Sequence, residues 1–558
     1  MSAVQPPLPP ARHGPGWPLL LLLGGGGIAV IVAWVALTAP FPGGGQDDTV
    51  NYVEAVVGGP SRINPLFAYQ NDVDRDLAGL IFSGLTRLAA DGRPLPDLAQ
   101  SWETSADGKT TTFHLRPGVK WQTGAAFTSA DVLFTYQLLA DPNFPGDPEQ
   151  APLWQALSCA APDELTVSCQ APNAFAPFPS YASIGIVPKY LLEGTTATNL
   201  LDDHFNRSPV GTGPYRLAQL DSRHAVLKAN DSYYLGTPTL SEIDIQFYPD
   251  VSTAAADVVR HQAQGLLTDM SASEDDMQAL ASVDGLKAYP SNLSALTILY
   301  LNNSQPPLND AAVRQAIAQA IDIDDIISNV IGGRALRADS PLVPGTWGFD
   351  PATERYQQDG GQAIDLLEKA GWVLSAGSPV RTRNSQALHI SLLTDADPLR
   401  GAVTDQIAKQ LREAGIDVEV NRQASSDLVR NFLIPRNYQA AVFGWDPGPD
   451  PDPYPAWHSS QATSTGRNLA GYASADADKL MEEARQTDDL EARKSLYGEF
   501  QRVFHQDVPS IPLYFPIYTY FVTDEMKNVK VGVLFHSSSR FLNVNAWKIE
   551  KSPDIGGQ

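Results

Sequence analysis

Apolar positions along this chain recur with two different periods. The runs HISLLT at 389–394 and IDVEV at 416–420 are typical of β-strands. Between them, Val403, Ile407 and Leu411 lie at every fourth position, which predicts a helix over about 401–414 that ends at Gly415. A strand, a helix and a second strand in this order predict a βαβ unit and hence a parallel sheet.

The same patterns recur from Val50 onward. Asp310 is a predicted N-cap for the helix AAVRQAIAQAID, and QAAVFGW at 439–445 is predicted as a further strand. No repeat of 20–50 residues is present, which favours α/β lobes over a solenoid. The QAAVFGW strand runs directly into DPGPDPDPYPAW at 446–457. Because ligands of open α/β sheets bind beyond the carboxyl ends of strands, this loop is where we expect a site.

The N-terminus has a different pattern. Residues 17–39 carry no charge over about the 20 positions that a membrane-spanning helix needs. Arg12 precedes this stretch and Asp47 and Asp48 follow it, so we expect residues 1–16 as a cytoplasmic tail, 17–39 as a transmembrane anchor and 40–48 as a linker. A cleaved signal peptide is the alternative, although the stretch is long for one and Pro40 follows the candidate cleavage position.

Composition narrows the class of protein. The chain of 558 residues is long enough for two or three packed lobes, and its 43% hydrophobic and 18% charged residues are ordinary for a globular protein. The net charge of −24 argues against a nucleic-acid partner. The two cysteines, Cys159 and Cys169, flank a predicted turn between two strands, where either a hairpin disulfide or two unpaired thiols could occur; export favours the disulfide.

A series of phrases resembles the oligopeptide, dipeptide and nickel-binding proteins of ABC importers. In chain order these phrases are INPLF (63–67), the stretch from IFSGLTRL to DVLFTY (81–136), GTGPYRL (211–217), YLNNSQPPLNDAAVRQAIAQAID (300–322), AIDLLEKAGW (363–372), IAKQLREAGIDVEV (407–420), GW with a DPD run (444–452) and EARKSLYGEFQRVFHQDVPSIPLY (491–514). The resemblance covers about residues 50–545.

The resemblance implies a two-lobed, periplasmic-binding-protein-like α/β fold of the Venus-flytrap type, preceded here by the N-terminal helix. Lobe I would comprise 49–82, 206–296 and 512–558, the inserted domain 83–205, and lobe II 297–511. Chain crossings near 297 and 511 would act as hinges. Closure of the lobes over a solute would be a population shift between open and closed forms.

The resemblance also implies a peptide-like solute, held through its main chain in the cleft between the lobes. An aspartate near the GW phrase would bind the solute amine; Asp450 is favoured and Asp446 is its rival, but the spacing of GWDPGPDPDP departs from that of peptide binders, and turn capping is an equal alternative. The remaining candidate ligand contacts are Asp452, Trp445, Tyr454, Trp457, Asn302, Asn303, Phe67 and Tyr69, each of which has core packing or turn chemistry as its alternative.

Signatures of catalysis are missing from the sequence: it contains no GxSxG, HExxH or CxxC motif, and its nine histidines show no ligand-like spacing. We therefore expect no enzyme, no cofactor and no bound metal. The expected partners are a small solute, a permease with its ATPases, and the membrane, with the binding domain outside the cytoplasm and the chain monomeric. A sensory or chaperone-like role, another solute such as an oligosaccharide, and an extracytoplasmic hydrolase are the alternatives.

Overall fold

The computed structural model describes residues 51–148 and 150–550, and its strands confirm an α/β protein. The predicted tail, anchor and linker lie outside the described residues. The strands are β1 Asn51–Val57, β2 Thr86–Leu88, β3 Pro94–Pro96, β4 Ala99–Thr104, β5 Thr110–Leu115, β6 Ser158–Asp163, β7 Thr166–Gln170, β8 Tyr215–Leu220, β9 His224–Ala229, β10 Glu242–Tyr248, β11 Gly265–Thr268, β12 Leu286–Asn292, β13 Leu296–Leu301, β14 Ala335–Arg337, β15 Val373–Leu374, β16 Arg381–Arg383, β17 Gln386–Ala387, β18 His389–Thr394, β19 Asp417–Arg422, β20 Ala440–Trp445, β21 Ser510–Thr523, β22 Met526–Lys527 and β23 Lys548–Ile549.

Helices lie between many of these strands. The α-helices are Asp72–Ile81, Ser129–Ala140, Ala151–Ala156, Phe178–Tyr181, Lys189–Leu192, Val251–Val259, Glu274–Ala281, Ala311–Ala320, Ile323–Asp325, Gly360–Lys369, Pro398–Glu413, Ser425–Asp427, Tyr454–Trp457, Ala475–Gln486 and Leu490–Asp507. Among the residues that the structure describes, no helix is both long and apolar enough to cross a membrane.

One twelve-stranded sheet runs through the described chain. Its order is β19-β18-β20-β13-β21-β11-β1-β10-β9-β8, and β12 and β14 also pair with β21. The 14-residue strand β21 is long enough to pair with β13 and β14 in its first half and with β11 and β12 in its second. The segments predicted as lobe I and lobe II therefore meet on this strand. Their bounds stay a prediction, and we keep the names for those residue sets.

The predicted βαβ unit is confirmed. Strands β18 and β19 pair in parallel, and the helix Pro398–Glu413 connects them. The helix begins three residues before the predicted start because the Asp397 side chain accepts the backbone N–H of Arg400 and Pro398 occupies the first turn, where its missing N–H is harmless. The predicted cap at Asp310 is also present, since its side chain accepts the N–H of Ala312. The predicted strand at 439–445 is present as β20, and it pairs with β18 in parallel.

Strand β13 is covered by other elements on both faces of the sheet. All six of its residues are buried, and they alternate between two apolar clusters. Leu299 and Leu301 pack on one side with the helix Ala311–Ala320, whereas Ile298 and Tyr300 pack on the other with the helix Leu490–Asp507. A strand that is covered on both faces needs a nearly continuous run of apolar residues, and LTILYL provides one at every position except Thr297.

Residues 83–205, which are predicted as the inserted domain and keep that name below, contain a separate four-stranded sheet in the order β4-β5-β7-β6. Cys159 and Cys169 lie directly opposite each other on β6 and β7 and form a disulfide. The predicted hairpin disulfide is thus confirmed.

Candidate functional site

The loop after β20 forms one wall of a pocket, as the position beyond a strand end predicts. Asp446 begins this loop and is exposed, and its Oδ1 accepts the N–H of Gly448 at 2.8 Å. Gly448 has φ +79°, a left-handed conformation that costs glycine little. Further on, Asp452 accepts the N–H of Tyr454 at 3.1 Å, and Tyr454 is the first residue of the short helix Tyr454–Trp457.

Asp450 lies beneath this loop in a buried ion pair. Its Oδ1 is 2.6 Å from Nη2 of Arg493, and its Oδ2 accepts the hydroxyl of Ser180 at 2.8 Å. Arg493 also donates to the Tyr497 hydroxyl at 2.8 Å and stands 4.8 Å from the centre of the Trp347 ring. Burial raises the pKa of Asp450, and Arg493 acts in the opposite direction. Both acceptor oxygens of Asp450 therefore already have partners from the protein.

Asp452 forms a second aspartate–arginine pair. Its Oδ2 accepts Nε of Arg485 at 2.7 Å and lies 2.6 Å from Nη2 of the same residue. The Arg485 guanidinium also stacks 3.8 Å from the centre of the Tyr454 ring and 5.2 Å from that of Phe175. This arginine is consequently fixed in position by a carboxylate and two aromatic rings.

The inserted domain and lobe II are in contact at this point. Ser180 belongs to the inserted domain and Asp450 to lobe II, and both are buried. The Ala176 N–H donates to the Arg485 carbonyl at 3.0 Å, and the Trp347 N–H donates to the Asp91 carbonyl at 2.9 Å. The two parts are therefore in direct contact in this structure.

A pocket of about 600 Å³ lies between these surfaces. Its walls from the inserted domain are mostly apolar, and its walls from lobe II are richer in polar and charged groups. The aromatic and charged side chains in its walls include Phe175, Tyr181, Trp445, Asp446, Asp452, Arg467 and Arg485. Both signs of charge are present, and aromatic rings line the pocket from either side, which is the composition of a small-molecule site.

The predicted site residues divide between this pocket and the core. Trp445, Asp446 and Asp452 line the pocket, and Tyr454 adjoins it through Arg485. Trp457 is buried against Tyr300, Trp445 and Phe504.

The two predicted amides are already bonded to the protein. The Asn302 amide donates to the carbonyls of Arg436 and Tyr438, and the Asn303 amide donates to those of Leu301, Ala470 and Pro509. These bonds fix the chain at the end of β13, and a ligand contact by either residue stays a prediction.

The two aromatic candidates of lobe I also have protein contacts. Phe67 is buried and stacks on Phe144 at a ring separation of 5.3 Å, and the Tyr69 hydroxyl accepts a hydrogen bond from Gln70. Neither lines the 600 Å³ pocket, and their role with a solute also stays a prediction.

Residues that sequence reasoning missed come from elsewhere in the chain. Phe175 and Tyr181 lie in the inserted domain, whereas Arg467 and Arg485 lie in lobe II beyond the acidic loop. No short motif marks them, because only tertiary packing brings them to the pocket. Within the described residues, no group of three or more His, Cys, Asp or Glu side chains is placed to hold a metal ion.

Comparison with known proteins identifies the family to which this chain belongs. The family model for bacterial extracellular solute-binding proteins, family 5 middle, matches residues 93–466. The oligopeptide-binding protein AppA of Bacillus subtilis is 26% identical over 506 residues, which cover 89% of this chain and 91% of that protein. The nickel-binding periplasmic protein of Escherichia coli is 26% identical over 487 residues, covering 82% of this chain and 88% of that protein.

A solved structure agrees with these relatives. The crystal structure of NikZ from Campylobacter jejuni in complex with Ni(L-His) has a TM-score of 0.69 at 26% identity, and the match covers 89% of this chain and 99% of that one. These matches confirm the expectation of an extracytoplasmic binding protein that is not an enzyme. This chain belongs to family 5 of the bacterial extracellular solute-binding proteins, the substrate-binding components of ABC transporters for solutes such as peptides and nickel.

Proposed function

We propose that this protein binds short peptides between the inserted domain and lobe II and delivers them to an ABC permease. The observation that carries the proposal is the 600 Å³ pocket with an exposed carboxylate, two arginines and aromatic walls. A peptide with free ends carries an amine and a carboxylate, and such a pocket offers a partner of opposite charge to each. Relatives named as oligopeptide-binding and dipeptide-binding proteins support the same solute class.

The size of the pocket favours a short peptide. A sphere of the same volume is about 10 Å across, which is the length of roughly three fully extended residues. A chain of nine residues would extend to about 30 Å. Because the inserted domain and lobe II are already in contact through Ser180 and Asp450, we take this volume as that of the closed form. We therefore expect di- and tripeptides to bind and longer peptides to bind less tightly.

Asp446 is the better placed of the two predicted amine anchors. It is exposed in the pocket wall, whereas Asp450 is buried with Arg493 and Ser180 as partners. The Asp446 carboxylate accepts the Gly448 N–H, and because it is exposed in the pocket wall, a solute amine can approach it as a further partner. The amine would then lie at the carboxyl end of β20.

Asp446→Asn tests this role. Calorimetric titration of the full chain in detergent should show a loss of affinity for trialanine of about tenfold or more, and a much smaller loss for N-acetylated trialanine. The matched control is Asp365→Asn, since Asp365 is exposed on the helix Gly360–Lys369 and outside the pocket. Equal losses for both peptides would contradict the anchor, and binding of sugars or metal chelates without peptides would contradict the solute class.

Residues 17–39 supply the membrane attachment in this proposal. A helix in that segment would hold the binding lobes outside the membrane and close to the permease. We expect the protein in the membrane fraction after a high-salt wash and a soluble extracytoplasmic protein after deletion of residues 1–45. Recovery of the intact chain in the soluble fraction would favour a cleaved signal peptide instead.

A further inference from the structure

Tyr181 projects into the pocket from the inserted domain. It ends the short helix Phe178–Tyr181 and follows Ser180, whose hydroxyl is bonded to Asp450 of lobe II. Its ring packs against Phe175 at a centroid separation of 5.8 Å. The Ser180 bond and the Phe175 contact therefore fix Tyr181 at the junction of the two parts.

The Tyr181 hydroxyl faces the turn at Gly448. A Cβ atom built on Gly448 would lie 3.8 Å from the hydroxyl oxygen, which places this group beside the acidic loop of lobe II. The contacts of the described residues include no hydrogen bond from this hydroxyl, although it lies in a pocket that is otherwise rich in polar groups. A pocket hydroxyl that the protein does not use is available to a solute.

The chemistry around Tyr181 favours donation to an oxygen. Burial and the nearby Asp452 and Asp450 carboxylates raise the pKa of Tyr181, so the group stays protonated and can donate. Arg485 and Arg467 line the same pocket and act on Tyr181 electrostatically. Arg485 gives two of its five N–H donors to Asp452. A carboxylate at this position would accept from the hydroxyl and lie near the Arg485 and Arg467 guanidinium groups, which offset the charge of the neighbouring Asp452 and Asp450 carboxylates.

We infer that Tyr181 is a specificity-determining residue, which donates a hydrogen bond from the inserted domain to a carboxylate oxygen of the solute beside Gly448. The inference rests on the proposed peptide-binding function and adds the means by which the pocket recognises the carboxyl end. Ser180 of the same helix lies against Asp450, so the contact between the inserted domain and lobe II holds Tyr181 in this position.

Tyr181→Phe tests the inference, because it keeps the ring and its packing on Phe175 and removes only the hydroxyl. Trialanine and its C-terminal amide are titrated against the full chain in detergent. A hydrogen bond to a charged group corresponds to a loss of between about 10-fold and 100-fold in affinity for the free carboxylate. For the amide, the loss should stay below about threefold. Tyr190→Phe is the control, since that exposed tyrosine bonds to Thr123 away from the pocket.

Each outcome separates the two proposals. If the wild-type chain binds trialanine and Tyr181→Phe binds both peptides as tightly as wild type, the inference is overturned and the peptide function stands. Equal losses for the acid and the amide would also overturn it, because they would show a role in shaping the pocket. If the wild-type chain binds no peptide of two to five alanines, the proposed function fails and the inference fails with it.

Discussion

Replacement of Asp450 by asparagine should destabilise the fold far more than it affects recognition of a solute amine. Asp450 is 1% exposed and Arg493 is 2% exposed, and their N–O distance is 2.6 Å. Asparagine has nearly the shape of aspartate but no charge. The variant would therefore leave a guanidinium buried without its counter-ion.

The magnitude follows from what remains around Arg493. Its Nε has no hydrogen-bond partner among the described residues, and the other acceptor for its N–H groups is the neutral Tyr497 hydroxyl. The rings of Trp347 and Tyr497 give only partial compensation. Loss of one member of a buried ion pair costs about 3–5 kcal/mol. Since whole proteins are stable by about 5–15 kcal/mol, this change is readily measured.

Urea unfolding followed by tryptophan fluorescence is a suitable assay, with Asp450→Asn, Arg493→Met and the double variant compared with wild type. We expect the double variant to be less destabilised than the sum of the single variants, by at least about 2 kcal/mol, because it leaves no unpaired charge. Asp446→Asn is the control, and its effect should stay within about 0.5 kcal/mol because its side chain is exposed.

One result would refute this reasoning. If Asp450→Asn unfolds within about 1 kcal/mol of wild type and yet selectively loses peptides with a free amine, the carboxylate acts on the solute rather than on Arg493. The residue would then be the amine anchor that the sequence favours, and the pairing with Arg493 would have to open on solute binding.

Three further predictions concern stability and closure. Burial raises the pKa of Asp97 to about 6, so its protonation stabilises the fold below pH 3.8 and this stabilisation is lost as the pH rises through 6. In urea unfolding, Asp97→Asn should reduce the loss of stability between pH 4 and pH 7.5 by up to about 3 kcal/mol. A variant with the same pH profile as wild type would contradict this prediction. Replacement of both Cys159 and Cys169 by serine opens a loop with a sequence separation of 10 and should cost about 2–3 kcal/mol of unfolding free energy, whereas a loss below 0.5 kcal/mol would show that the hairpin does not depend on the bond. Ser180→Ala removes the hydroxyl that is bonded to Asp450 and should favour the open form. We expect a larger radius of gyration in X-ray scattering and a several-fold weaker affinity for trialanine. Scattering and affinity identical to those of wild type would exclude a role of Ser180 in closure.

Local patterns predicted the elements of this fold well, because the periods of strands and helices are properties of neighbouring residues. The βαβ unit around the helix Pro398–Glu413 and the cap at Asp310 follow from such patterns. The true start of that helix was also encoded in the pair Asp397–Pro398, which the apolar periodicity alone does not include.

The site was less predictable, since its chemistry depends on contacts between distant segments. The sequence placed a site after β20, and Asp446 and Trp445 do line the pocket there. The sequence could not show that Asp450 pairs with Arg493 and Asp452 with Arg485. Both arginines lie on later helices, whose apolar stripes indicate only core packing. Tyr181 illustrates the same limit, since only the docking of the inserted domain gives it a position by Gly448.

Strand β21 has a consequence for how the exported chain acquires its structure. Its residues, Ser510–Thr523, pair with strands that begin at Gly265, Leu286, Leu296 and Ala335, so the central sheet lacks a strand until nearly the last part of the chain is available. At about 5–20 residues per second, synthesis of the first 510 residues takes roughly 25–100 s. Throughout that interval neither half of the sheet can be completed. The protein therefore remains incompletely folded until its C-terminus emerges, which is the condition that a chain threaded across a membrane requires.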